Sequence, residues 1–184
     1  MRKFIRVALC LSLITAASLA VTSFVRAAEE KRASPHEQTT LTLGGKKITI
    51  EYGRPYKKGR DIFGGLVPWE QVWRTGADEA TTLSTDADLV IGSLKVPKGK
   101  YSLFTMPVGK GKEWTLIVNK EFDQWGAYKY DRTKDLGRTS LKVDTAPAST
   151  EQLTIALEAQ GDQKSAAFKI IWDKTVASTT LKLQ

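Results

Sequence analysis

The chain has 184 residues and a formal net charge of +8, from 28 Lys and Arg against 20 Asp and Glu. A chain of this length forms a domain with a core large enough to fold without disulfides. It has one cysteine, Cys10, and one histidine, His36, which are too few ligands for a zinc or copper site. Thiolate and Ser-His-Asp mechanisms lack candidates for the same reason. We therefore expect no metal and no cofactor.

Residues 1–27 are predicted to be a signal peptide. Arg2, Lys3 and Arg6 precede an apolar run at residues 7–21, and small residues flank Arg26 before the predicted cleavage site. This pattern indicates export to the periplasm or the extracellular space. Removing the segment takes away four basic residues and no acidic one, which lowers the net charge from +8 to +4. That charge does not favour nucleic-acid binding, and membrane contact is expected only if the segment stays uncleaved.

The rest of the chain is predicted to be a flexible leader and one β domain. Residues 28–38 are polar and include Pro35, which is typical of a leader. Residues 39–184 contain short alternating segments separated by glycine and proline turns, with no convincing long helix. The fold class we expect is all-β, a single antiparallel β-sandwich with a jelly-roll-like arrangement.

Three hairpins can be assigned by register, with turns at Gly44-Gly45, Gly92-Ser93 and Gly161-Asp162. In each hairpin a two-residue turn places the apolar residues together on one face, whereas a one-residue slip would mix them with polar residues. The predicted cross-strand pairs are Leu41–Ile48, Thr39–Ile50, Ile91–Leu94, Leu89–Val96, Leu157–Ala166, Ile155–Phe168 and Leu153–Ile170.

Two long segments interrupt the strand pattern, at residues 54–80 and 121–137. The first is rich in glycine and proline, and the second carries several aromatic residues. Long irregular segments in compact domains are commonly functional or cover one end of the fold. We expect the two segments to meet at one end of the sandwich.

Several motifs in this chain resemble one bacterial family. They include Tyr52-Gly53-Arg54-Pro55, the block Trp73-Arg74-Thr75-Gly76-Ala77-Asp78-Glu79, and Gln124-Trp125-Gly126. The similarity is to the family named for domain of unknown function 2911, and it extends over about residues 34–181. The resemblance implies an exported or envelope-associated protein with no established reaction. The usual family pattern has asparagine where this chain has Asp78.

The candidate site combines three arginines with a carboxylate and two aromatic residues. Guanidinium groups bind carboxylates and phosphates bidentately, and aromatic rings on loops stack on sugars or apolar ligands. An alternative for Arg74 is an ion pair with Asp78 or Glu79 that pins the loop. The predicted ligand-binding residues are Arg54, Arg60, Arg74, Glu79, Trp125 and Tyr130.

The predicted function is a non-enzymatic binding module for a small anionic or carbohydrate ligand, or for a partner protein of the envelope. One alternative is a purely structural β-module that serves assembly. A second is a hydrolase of envelope saccharides that uses Glu79 and a distant carboxylate. Asp78 and Glu79 alone are not expected to form that pair, because neighbouring residues of a regular strand point to opposite faces.

Overall fold

The computed structural model describes residues 33–109 and 111–184, so the predicted signal peptide and residues 28–32 lie outside the described residues. The described part contains nine strands and one 3₁₀ turn, Arg132–Lys134, and it includes no helix long and apolar enough to cross a membrane. The strands are β1 (His36–Leu43), β2 (Lys46–Gly53), β3 (Ala77–Thr85), β4 (Leu89–Ile91), β5 (Leu94–Val96), β6 (Gly99–Met106), β7 (Trp114–Asn119), β8 (Asp135–Ala159) and β9 (Ser165–Leu183).

The nine strands form one antiparallel sheet in the order β1-β2-β3-β6-β7-β8-β9-β4-β5. Strand β8 is shared by the two halves, because residues 135–141 pair with β7 and residues 142–159 pair with β9. Strand β4 pairs with the last residues of β9, with Leu89 opposite Leu183. The predicted all-β antiparallel class is confirmed, whereas the sandwich and jelly-roll arrangement stays a prediction.

One apolar core is built from both halves of the sheet. Ile50 of β2 and Leu116 of β7 belong to the same buried cluster as Phe168 and Trp172 of β9. These strands alternate inward apolar and outward polar residues, which explains why one face of each strand is removed from water. A second, smaller cluster surrounds Phe104 on the other face of β6.

Two of the three predicted hairpins have the predicted register. Leu41 lies opposite Ile48, and Leu89 lies opposite Val96. The remaining pairs predicted at these two turns are also observed. Glycines at the turns adopt positive φ, which a short hairpin loop requires.

The predicted register of the third hairpin is wrong by two residues. Leu157 lies opposite Phe168 instead of Ala166, and the predicted Ile155–Phe168 and Leu153–Ile170 pairs are likewise not formed. The loop is longer than two residues because the Asp162 carboxylate accepts hydrogen bonds from the amides of Lys164 and Ser165 at 3.0 and 2.8 Å. A shift of two residues keeps the apolar side chains on the same face.

The structure also corrects the start of the β domain. Strand β1 begins at His36, which pairs with Gly53 of β2, so residues 36–38 are part of the sheet and not of a flexible leader. The sequence did not indicate this start, because the first residues of β1 are polar and have low strand propensity. They lie on an exposed edge strand, where polar residues are common.

Candidate functional site

The first irregular segment follows two different parts of the sheet, which separates the predicted arginines. Just after β2 it runs beside β8, where the Lys57 amide donates to the carbonyl of Glu151 at 2.6 Å. Further along it reaches β6, where Trp73 and Thr105 exchange backbone hydrogen bonds of 2.8 and 2.9 Å. The beginning and the end of this segment therefore lie on different strands.

Arg54 is held by the sheet. Its Nε donates to the carbonyl of Leu153 at 2.8 Å, Nη2 donates to Thr154 Oγ1 at 2.8 Å, and Nη1 pairs with Glu37 at 2.5 Å. The guanidinium thus connects β1 to β8, and its donors are engaged within the protein. These contacts indicate a structural role for Arg54.

Arg60 closes its own loop. Its Nε donates to the carbonyl of Lys57 at 3.0 Å, and Nη2 donates to the carbonyl of Tyr56 at 2.5 Å. Both acceptors lie within four residues, so Arg60 caps a local turn and does not converge with Arg54 on a shared acceptor.

Arg74, Glu79 and Trp125 do come together, where the two irregular segments meet. Glu79 and Trp125 form an antiparallel bridge, and the amide of Gly126 donates to the carbonyl of Asp78 at 3.0 Å. Trp125 remains 58% exposed. No ion pair among the described residues joins Arg74 to either neighbouring acid, and the buried Arg74 Nε has no hydrogen-bond partner there.

Tyr130 is directed into the second apolar cluster. Its ring packs edge-on against Phe104 with centroids 5.1 Å apart. The hydroxyl donates to Asp135 Oδ2 at 2.8 Å and accepts from Arg138 Nη2 at 2.6 Å. Burial, followed by the hydrogen bond to Asp135, raises the pKa of Tyr130 above its usual value. Tyr130 therefore serves the packing of this cluster.

A separate cavity of about 600 Å³ lies beside the middle of the first irregular segment. Its aromatic wall is formed by Phe63, Trp69 and Trp114. Phe63 is central, with its ring centroid 4.5 Å from Trp114 and 6.5 Å from Trp69. Sequence reasoning did not connect Phe63, Trp69 or Trp114 with a site.

A tight turn at residues 61–67 positions this aromatic wall. The amide of Leu66 donates to the carbonyl of Asp61 at 3.0 Å, and the amide of Val67 donates to the carbonyl of Ile62 at 2.8 Å. Gly64 has a φ of +92°, and a Cβ there would collide with Trp69 Nε1. Glycine is therefore required both for the backbone conformation and for the place of the indole.

The cavity also carries polar groups of mostly one sign. Asp61, Asp144, Asp173 and Lys174 line it. Asp173 accepts hydrogen bonds from Lys57 Nζ and Ser149 Oγ, both at 2.6 Å. These hydrogen bonds, with that of Lys57 the larger effect, lower the pKa of Asp173 and keep it ionised. Asp144 pairs with Lys142 at 3.1 Å, so two of the three carboxylates have basic partners.

The indole N–H of Trp114, which borders this cavity, is withdrawn from solvent. Trp114 is only 2% exposed, and its Nε1 has no hydrogen-bond partner among the described residues. A buried polar group without a partner costs free energy.

A smaller cavity of about 250 Å³ lies on another part of the sheet, lined by residues of β1, β2 and β3 and by Asp123 of the second irregular segment. His36 and Glu79 line it, and their Nε2 and Oε2 atoms are 3.0 Å apart. Asp78 Oδ2 lies 3.6 Å from the same His36 nitrogen. The two acids thus face one histidine. A regular strand would point them to opposite faces, and the bulge in β3 turns them to the same side.

The fold and these cavities define an all-β domain with an aromatic cleft bordered by charged residues. A model of the family described as protein of unknown function (DUF2911) matches residues 34–181. The chain belongs to this family, as its motifs suggested. Neither the curated proteins nor the solved structures include a significant match.

Proposed function

We propose that the domain is a non-enzymatic binding module whose ligand is a neutral carbohydrate, held in the aromatic cavity. The observation that carries this proposal is the cavity of about 600 Å³ whose wall is formed by the rings of Phe63, Trp69 and Trp114. That volume lies within the range of about 300–1,000 Å³ typical of small-molecule sites. It fits one or two sugar rings.

The lining matches the two surfaces of a sugar. The apolar face of a pyranose stacks on aromatic rings such as those of Phe63 and Trp69. Its hydroxyl groups donate to carboxylates such as Asp61 and Asp144. Aromatic walls with a few convergent polar groups are the usual composition of a ligand pocket.

The rim gives an anionic ligand no cluster of cations among the described residues. Three carboxylates and the ammonium of Lys174 line the cavity. Lys57 pairs with Asp173 and Lys142 pairs with Asp144, so these two ammonium groups already have acidic partners. Binding of an anion by the predicted arginines receives less support, because Arg54 and Arg60 donate to groups of the protein itself.

The experiment is a titration of the ¹⁵N-labelled protein with neutral mono- and oligosaccharides, followed by the indole N–H signals of its five tryptophans. We expect the signals of Trp69 and Trp114 to shift, while that of the exposed Trp125 stays in place. Trp69→Ala should weaken binding about tenfold, since stacking contributes about 1 kcal/mol or more. Trp125→Ala is the matched control and should bind normally.

Two results would contradict the proposal. Neutral sugars that shift none of these signals, or only that of Trp125, would place no carbohydrate in the cavity. Cleavage of the oligosaccharides during the titration, abolished by Glu79→Gln, would favour the hydrolase alternative over a binding module.

A further inference from the structure

Three side chains that bind transition metals meet at the edge of the sheet. The potential ligand atoms of His36, Asp78 and Glu79 all lie within 4.8 Å of one another. His36 belongs to β1 and the two acids to β3, so strand β2 lies between them in the sheet. These residues are outside the lining of the aromatic cavity.

Gly53 of β2 makes this meeting geometrically feasible. It lies opposite His36 on one side and opposite Ala77 on the other. Because glycine has no side chain, nothing from β2 stands between the imidazole and the carboxylates at this position. A Cβ on Gly53 would collide with the carbonyl oxygen of Ala77, so the close approach of β3 also depends on the glycine.

A bulge in β3 turns both carboxylates to the same side. The register between β2 and β3 shifts between the pairs Glu51–Thr82 and Gly53–Ala77, which places extra residues on β3. Within this bulge Asp78 has a φ of +63°. Bulges re-aim side chains and are common next to functional sites, and Asp is among the few residues that adopt this conformation readily.

The distances match the edges of a metal coordination sphere. Zinc–nitrogen and zinc–oxygen bonds of about 2.0–2.1 Å place tetrahedral ligand atoms about 3.3 Å apart. The separations from His36 Nε2 are 3.0 Å to Glu79 Oε2 and 3.6 Å to Asp78 Oδ2, on either side of that value. Asp78 Oδ2 is also buried from solvent and accepts no hydrogen bond among the described residues.

We propose that His36, Asp78 and Glu79 bind one divalent transition-metal ion of the zinc type. The imidazole favours zinc over magnesium or calcium, which prefer oxygen ligands. Three protein ligands leave a fourth position for water on the side of the neighbouring cavity, which His36 and Glu79 line.

The expectation of no metal site rested on the small number of nitrogen and sulfur ligands, Cys10 and His36, and on placing His36 in a flexible leader. Strand β1 instead begins at this residue and brings it to the two acids. His36 and Asp78 are far apart in the sequence, so no short metal-binding motif indicates this site. The bulge in β3, and not a short spacing, brings the ligands together.

The experiment uses tag-free protein treated with a chelator and then titrated with Zn²⁺ by calorimetry. Co²⁺ in place of Zn²⁺ adds a visible spectrum that reports coordination geometry. We expect one bound ion per chain and a tetrahedral Co²⁺ spectrum. His36→Asn should abolish that spectrum, and Glu79→Gln should weaken binding at least tenfold.

Asp78→Asn is a second informative variant, because asparagine also tolerates the positive φ and so retains the bulge. It should weaken Zn²⁺ binding while circular dichroism stays unchanged. Asp123→Asn, an exposed acid that lines the same neighbouring cavity, is the control and should bind Zn²⁺ normally.

Two outcomes would overturn the proposal. One is wild-type protein that binds no Zn²⁺. The other is Zn²⁺ binding that persists unchanged in His36→Asn and Glu79→Gln, which would show binding elsewhere on the chain. Either result leaves the carbohydrate proposal intact, since that site shares no residue with this one.

Discussion

The backbone amide of Ile155 donates a hydrogen bond to the hydroxyl of Tyr52 at 2.9 Å. The carbonyl of Ile155 accepts a second one from Thr39 Oγ1 at 2.7 Å. Side chains of β1 and β2 thereby satisfy both backbone groups of one residue in β8. This contact joins residues 103 positions apart in the sequence and fixes the first hairpin against the longest strand.

Tyr52→Phe should lower the free energy of unfolding by about 1–3 kcal/mol, because it leaves the buried amide of Ile155 without an acceptor. Tyr52 is 2% exposed, so water does not replace the hydroxyl easily. Urea unfolding measures the change. Tyr56→Phe, at a residue that is 36% exposed, is the control. Equal stabilities of the two variants would contradict this account.

Gly53→Ala should destabilise the protein by about 1–3 kcal/mol, because the added methyl group would collide with the carbonyl of Ala77 in β3. Thermal unfolding with circular dichroism is the measurement. Gly161→Ala places its methyl group in open space and should change stability little. Similar midpoints for both variants would show that β3 does not depend on the glycine.

Asp173→Asn should destabilise the protein near neutral pH by about 1–2 kcal/mol, because it weakens charged hydrogen bonds from Lys57 and Ser149. The pKa of Asp173 is lowered in the folded state, mainly by the hydrogen bond from Lys57. Its contribution is therefore present above the unfolded pKa of about 3.9 and lost as the pH falls through the lower folded pKa.

The measurement for Asp173 is urea unfolding at a series of pH values between about 2 and 7. The difference between wild type and Asp173→Asn should shrink as the pH falls below about 4. Asp86→Asn, at an exposed turn after β3, should show no comparable trend. A difference that is independent of pH would exclude the charge of Asp173 as its cause.

Phe63→Ala should lower the free energy of unfolding by about 3 kcal/mol. Its ring contacts four tryptophans, with centroid distances between 4.5 and 6.5 Å, so its removal leaves a cavity among large side chains. Near-ultraviolet circular dichroism and urea unfolding report the change. Phe122→Ala, at a ring 44% exposed, should cost well under half as much. Comparable losses would show that Phe63 is not the centre of the aromatic wall.

Short-range patterns predicted much of the sheet. Gly44 and Gly45 have positive φ, so the turn chemistry and the alternation of apolar residues indicated the same register. The third hairpin has a glycine turn as well, but Asp162 binds two amides beyond it and lengthens the loop. Sequence alone does not show whether an aspartate at this position will favour a two-residue loop or a longer one.

The candidate sites were less predictable, since they depend on contacts between distant segments. Phe63 and Trp114 form a wall only because the first irregular segment folds back over β7 and β9. The charge and size of Arg54 suggested ligand binding, but residues of β8 engage its guanidinium. His36 lacked any recognisable spacing to its partners. In each case the tertiary contacts, which short sequence patterns do not show, determine which residues come together.

The pairing of β4 with the end of β9 sets the order in which the chain can fold. Leu89 meets its partner Leu183 only after residues 90–182 have been synthesised. Until β9 has emerged from the ribosome, the hairpin of β4 and β5 therefore lacks the strand that joins it to the rest of the sheet. A chain that stops before residue 181 loses all of the observed β4–β9 pairs.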